Sequence, residues 1–127
     1  MGAQKTIFVI DDASLVRLYY RSTLEQAGYR VEEALNGIEA LEKMPTMAVD
    51  LLIVDVNMPQ MDGFTFLSKL RGRQGPLASI PALITSTESG KQDFEAARAA
   101  GANFYLVKPI DRDTLVEFAA MLCGVSR

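Results

Sequence analysis

The chain has 127 residues, 49% of them hydrophobic and 23% charged, with a formal net charge of −3 and no histidine. That length suits one domain with a sizeable core, and the slightly acidic balance offers no basic footprint, so no direct nucleic acid contact is expected. Lacking histidine, and with Cys123 as its only cysteine, the chain cannot phosphorylate itself on histidine, build a Cys/His metal site, run a Ser-His-Asp triad or close an internal disulfide. A lone cysteine agrees with a reducing compartment, no apolar run approaches a membrane span, and no signal peptide opens the chain. A cytoplasmic protein without membrane insertion is the expectation.

The opening Met1-Gly2-Ala3-Gln4-Lys5-Thr6 formally fits a myristoylation signal. Six loosely specified positions match often by chance, and a lead-in to the first strand is expected instead. Residues 6–10 read as that strand, ending in Asp11-Asp12. A helix follows to about Ala27, capped by Asp12 or Ser14 and stopped by Gly28. Val16, Tyr20, Thr23, Leu24 and Ala27 share one face at helical spacing and should be core. Leu15 and Leu18 fall off that stripe. Single exposed leucines are ordinary, but these two lie beside the acids and are expected to form a partner-docking patch.

Residues 29–34 alternate loosely and should form a second strand nearer the sheet edge. Asn36-Gly37 begins a helix through Ile38, Leu41 and Met44, which Pro45 ends. Leu51-Leu52-Ile53-Val54 is apolar without alternation, as in a strand covered on both faces, and it ends in Asp55. After a turn-rich loop at 59–63, Phe64, Phe66, Leu67 and Leu70 mark a third helix. Residues 72–81 are the longest irregular stretch. Ala82-Leu83-Ile84-Thr85 then ends in Ser86, a helix runs from about Lys91 to Ala100 before Gly101, and Phe104-Tyr105-Leu106-Val107 ends in Lys108-Pro109. A last helix, capped by Asp111 or Asp113, carries Leu115, Phe118, Ala119 and Leu122.

Five β-α repeats with short connections predict an α/β domain, a doubly wound five-stranded parallel sheet with helices on both faces. The expected strand order is 2-1-3-4-5, whose crossover opens a crevice between strands one and three. Asp11, Asp12 and Asp55 would line it, with Ser86 and Lys108 ending neighbouring strands. Each residue alone has a bland reading, since strand-end acids cap helices, serines start turns and lysines are solvated. All four strand ends together point to chemistry. Crowded carboxylates repel, and a hard cation with oxygen ligands, Mg²⁺ above all, relieves that repulsion. A tetrahedral dianion would fit above Asp55, held by metal, lysine and hydroxyl, and Asp55 itself can attack phosphorus.

On the acidic pair Asp11-Asp12, Asp55 with Asn57-Met58-Pro59 and Met61-Asp62-Gly63, Ser86, and Lys108-Pro109, the chain resembles a response-regulator receiver domain over nearly its whole length. More narrowly it resembles a stand-alone chemotaxis-type regulator, with residues 1–127 as a single receiver domain of flavodoxin-like fold. The resemblance implies phosphorylation on Asp55 by a sensor histidine kinase or histidine phosphotransfer protein. It implies Mg²⁺ held by Asp12, Asp55 and the carbonyl of Asn57, with Asp11 mostly through water. It further implies that Ser86 and Lys108 bind the phosphoryl group, that Lys108-Pro109 is cis, and that Tyr105 is the switch aromatic partnered with Ser86. A downstream protein target would engage the face formed by the fourth helix, fifth strand and fifth helix.

Two departures from the commonest pattern, and two polar neighbours of the site, matter. Serine at 86 keeps the hydroxyl of the frequent threonine and loses its methyl. Thr87 replaces a small residue and should narrow access, while Asn57 and Glu88 flank the path of an attacking water and should influence phosphoryl lifetime. The expected function is a phosphorylation-dependent binding switch of a two-component system. A phosphoryl shuttle or phosphate sink is the alternative. A conventional phosphatase of the aspartate-nucleophile class ranks last, because Asn57 stands where that class needs a second acid. The only catalysis expected is of the chain's own aspartyl phosphorylation and dephosphorylation.

Overall fold

The computed structural model describes residues 4–124. Residues 1–3 of the myristoylation-like motif lie outside that range. Five strands, β1 (Thr6–Ile10), β2 (Arg30–Ala34), β3 (Leu51–Asp55), β4 (Ala82–Ser86) and β5 (Phe104–Val107), form one parallel sheet in the order β2-β1-β3-β4-β5. Five helices alternate with them: α1 (Ser14–Gln26), α2 (Gly37–Lys43), α3 (Gly63–Arg71), α4 (Lys91–Ala100) and α5 (Arg112–Cys123).

Alternate residues of each strand face opposite sides of the sheet, and each side has its own core. Ile7, Val9, Leu51, Ile53 and Leu83 pack under α1 and α5 with Tyr20, Leu24 and Leu115. Phe8, Ile10, Leu52, Val54 and Ile84 pack on the other side with Phe66, Leu67 and Leu70 of α3 and Ala97 and Ala100 of α4. Every residue of β3 and β4 is buried, as unbroken apolar runs in central parallel strands require.

The expected elements are present, with local differences. Ala13, not Asp12 or Ser14, is the N-cap of α1 and makes no side-chain cap bond. Asp11 Oδ1 accepts the Ala13 N–H at 2.9 Å instead, so the loop is closed by a residue outside the helix. On α1, Tyr20, Thr23 and Leu24 are fully buried, whereas Val16 and Ala27 are only half-buried against the same core. The second strand starts at Arg30 rather than Tyr29. Pro45 does not stop the second helical segment. Its fixed φ suits the first positions of a tighter turn, and α2 continues into a 3₁₀ turn at Met44–Thr46. A second 3₁₀ turn, Pro76–Ser79, lies inside the stretch read as irregular. Asp111 is the N-cap of α5 by position but makes no side-chain cap bond.

Candidate functional site

The crossover in strand order places the carboxyl ends of β1 and β3 side by side, the crevice where open α/β sheets bind ligands. Asp11 follows β1 and Asp55 ends β3, both buried, while Asp12 is exposed. Ligand oxygens of the three carboxylates lie within 4.8 Å of one another. Lys108, just past β5, reaches across the edge, and its Nζ donates to Asp11 Oδ2 at 2.8 Å and Asp55 Oδ1 at 3.0 Å. The residues expected to converge therefore do so, and the ammonium relieves the repulsion among the acids.

Burial pushes the Asp55 carboxyl above its ordinary range, the Lys108 hydrogen bond opposes that push, and the Asp11 charge adds to it. Burial would lower the Lys108 pKa, but hydrogen bonds to Asp11 and Asp55 outweigh it and hold the pKa up. The lysine thus keeps its charge in a partly dehydrated site.

Backbone contacts hold each group in place. Lys108 N–H donates to Ser86 O at 2.7 Å, Val56 N–H to Thr85 O at 3.1 Å, and Gly63 N–H to Val56 O at 2.9 Å. The Lys108-Pro109 bond is cis. Asn57 is exposed on the loop after β3. Ser86 is buried at the end of β4, and its Oγ accepts the Glu88 N–H at 3.1 Å. Tyr105 is half-buried on β5. Its hydroxyl donates to Glu88 O at 2.8 Å, and its ring meets Phe94 edge-on at 4.7 Å between centroids. Burial raises the Tyr105 pKa, and the nearby Ser86 hydroxyl works against the rise. Leu15 and Leu18 are exposed on α1, 78% and 60% accessible, and Thr87 is exposed beside the pocket.

Two residues near the site were not singled out for it in the sequence. Tyr20 faces the sheet from α1 and feels the charges of Lys108, Asp11 and Asp55; burial pushes its phenol up to about 12 and keeps it neutral. Thr85 pairs in register with Asp55. Helical spacing marks Tyr20 only as core, and nothing in the linear pattern shows that its phenol comes within reach of the site's charges.

The arrangement suits a hard cation, since all its acidic donors are oxygens. A phosphoryl group on Asp55 would meet a lysine ammonium and a serine hydroxyl from adjacent strand ends.

Comparison with known proteins agrees with this geometry. The family model described as the response regulator receiver domain matches residues 7–120. The chain is 37% identical over 122 residues to the chemotaxis protein CheY1 of Helicobacter pylori, covering 94% of this chain and 98% of that protein. It is 30% identical over 117 residues to the CAI-1 autoinducer sensor kinase/phosphatase CqsS of Vibrio cholerae, covering 92% of this chain and 17% of that protein. Among solved structures, Vibrio cholerae chemotaxis protein CheY4 superposes with a TM-score of 0.88 at 35% identity, covering 94% of this chain and 99% of that one. The receiver domain of the Pseudomonas aeruginosa sensor histidine kinase PA1611, described with a magnesium ion coordinated in its active-site cleft, gives 0.87 at 25% identity, covering 96% and 99%. The chain belongs to the response-regulator receiver domain family, with chemotaxis regulators among its relatives.

Proposed function

We propose that residues 1–127 act as a single receiver, a cytoplasmic phosphoacceptor switch whose acceptor is Asp55. The observation that carries this reading is the bridge from Lys108 Nζ to Asp11 and Asp55 at 2.8 and 3.0 Å, beside three carboxylates within one metal's reach. A carboxylate oxygen of Asp55 forms a bond to phosphorus as the P–N bond of a donor phosphohistidine breaks, and the electron pair returns to the imidazole. Lys108 leaves its ion pair with Asp55 to hold a phosphoryl oxygen, and the Ser86 hydroxyl donates to another. The donor is a sensor histidine kinase or histidine phosphotransfer protein, since this chain has no histidine of its own.

Asp12, Asp55 and the carbonyl of Asn57 are the groups that would hold Mg²⁺, with Asp11 acting through water. When bound, Mg²⁺ supplies positive charge to the transferring group's oxygens. The magnesium-bound cleft of the PA1611 receiver supports this assignment. Leu15 and Leu18 give the donor an apolar foothold beside the acids. The exposed Phe94, Phe104, Val107 and Met121 give a target protein its surface on α4, β5 and α5.

A second reading, a phosphoryl shuttle or sink without a dedicated target, draws on the match to part of a sensor kinase/phosphatase. Radiolabel transfer from an autophosphorylated histidine kinase tests both. The switch reading expects label on the wild type, none on Asp55→Asn, and tighter target binding by the labelled form. Rapid return of label to histidine, with target affinity unchanged, would select the shuttle.

A further inference from the structure

We propose that Arg17 is a positioning residue for the metal-binding loop, holding the Asp11–Asp12 peptide in place through a fork anchored on Glu33. This rests on the reading of Asp11, Asp12 and Asp55 as a Mg²⁺ site. Arg17 lies on α1 with its side chain only 12% exposed. Its Nη1 donates to the backbone carbonyl of Asp11 at 2.6 Å, and its Nε donates to Glu33 Oε1 at 2.8 Å.

Glu33 is itself fixed. Its second carboxylate oxygen accepts from Arg21 Nε at 2.5 Å, and its backbone carbonyl accepts from Lys43 Nζ at 2.8 Å. Burial works to raise the Glu33 pKa, but the hydrogen bonds from Arg21 and Arg17 win and hold it below the ordinary value. A charged anchor on β2 is thereby tied through one guanidinium to the carbonyl that precedes Asp12.

That carbonyl belongs to the planar peptide whose other half is the Asp12 N–H, so gripping it restricts how Asp12 is presented. Asp12 has no helix-capping bond to orient it, because Ala13 is the N-cap. Further ties of this loop are Asp11 N–H to Ala34 O at 3.1 Å, Ala13 N–H to Asp11 Oδ1 at 2.9 Å and Lys108 Nζ to Asp11 Oδ2 at 2.8 Å, all of them made by Asp11 and none by Asp12. Groups that orient metal ligands without touching the metal commonly control affinity. A planar guanidinium can serve Glu33 and the carbonyl together, whereas a single ammonium cannot match that fork.

The sign of the effect separates positioning from charge. A guanidinium beside a cation site repels the cation, so on charge alone its removal would tighten Mg²⁺ binding or leave it unchanged. Positioning demands the opposite. Calorimetric titration of Mg²⁺ into the full chain should show Arg17→Lys and Arg17→Met each weakened about tenfold. Arg21→Met removes a neighbouring positive charge and the other arm on Glu33 without touching Asp11, and should stay near wild type. Amide exchange should quicken at Asp12 and Ala13 in Arg17→Lys while β2 stays protected.

Wild-type affinity in both Arg17 variants would overturn the proposal, and so would an equal loss in Arg21→Met, which would mark a general loosening of α1 against β2. A wild type that takes up no Mg²⁺ would overturn the metal reading and this inference with it, an outcome distinct from the other two.

Discussion

Gly63 presses directly against the backbone of Asp55. A Cβ built on the glycine would stand 2.2 Å from the Asp55 carbonyl oxygen, a separation no side chain tolerates. The first residue of α3 therefore packs onto the end of β3, and its N–H donates to the neighbouring Val56 carbonyl. Gly63→Ala should cost about 1–3 kcal/mol by urea denaturation, because the helix must lift from the strand. It should also weaken Mg²⁺ binding by moving Asp55. Gly72, at the far end of the same helix, has only ordinary contacts at 3.6 Å and a right-handed backbone. Gly72→Ala should leave both stability and metal binding near wild type or add up to about 1 kcal/mol.

Two carboxylates should show opposite dependences on pH. Folding raises the Asp55 pKa above 3.8, chiefly through burial, so the folded state favours the protonated acid. The associated stability is fully present below about pH 3.8 and lost as pH rises through the folded pKa. Metal-free Asp55→Asn should therefore melt higher than wild type at neutral pH, with the difference vanishing in acid. Folding lowers the Glu33 pKa below 4.5, so its contribution is present above that value and lost as pH falls through the folded pKa. Glu33→Gln should melt lower than wild type at neutral pH and converge with it in acid. Melting curves across the acid range check both signs.

Metal binding to the native state alone should appear as stability. At Mg²⁺ a hundredfold above its dissociation constant, the wild type should gain about 2.7 kcal/mol. Asp12→Ala should lose that gain, because it removes the exposed acid of the cluster without disturbing the buried Lys108 bridge. An unchanged Mg²⁺ response in thermal melts would place the ion elsewhere.

Ser86 and Tyr105 meet through one residue of the β4–α4 loop. Glu88 donates its N–H to Ser86 Oγ and accepts the Tyr105 hydroxyl on its carbonyl. A phosphoryl oxygen that captures the serine hydroxyl would pull on this loop and loosen the tyrosine, the differential contact any switch requires. Ser86→Ala should still be modified at Asp55 but lose most of the beryllofluoride-induced shift of fluorine-labelled Tyr105. A wild-type shift in that variant at saturation would break the coupling.

Residues placed by the order of the strands were readable in the sequence, and residues placed by side-chain contacts between packed elements were not. Leu51 to Asp55 announces a central parallel strand because burial on both faces leaves no alternation. Asp11, Asp55, Ser86 and Lys108 could be placed at one edge because strand ends of a parallel sheet converge. The N-cap of α1 falls on Ala13, between the two side chains that could have capped it, and Asp11 accepts the Ala13 N–H to close the loop before the helix. Nothing in the linear pattern marks Arg17, whose partner Glu33 lies sixteen residues along the chain and reaches it only once β2 is in place. Gly63 reads as a turn former, since its contact with Asp55 exists only once α3 docks. The 3₁₀ turns were missed because a proline that ends one helical geometry can open a tighter one.

The most direct test of the account is acceptor identity. The folded protein is incubated with a small phosphodonor and Mg²⁺, and the label is located by mass spectrometry of the intact chain and its peptides. Asp62 is the matched control: it is an exposed acid close in sequence, already committed as N-cap of α3 by accepting the Thr65 N–H at 2.8 Å. Wild type and Asp62→Asn should each take one phosphoryl group on the peptide containing Asp55, and Asp55→Asn should take none. Equal labelling of Asp55→Asn and wild type would contradict the account.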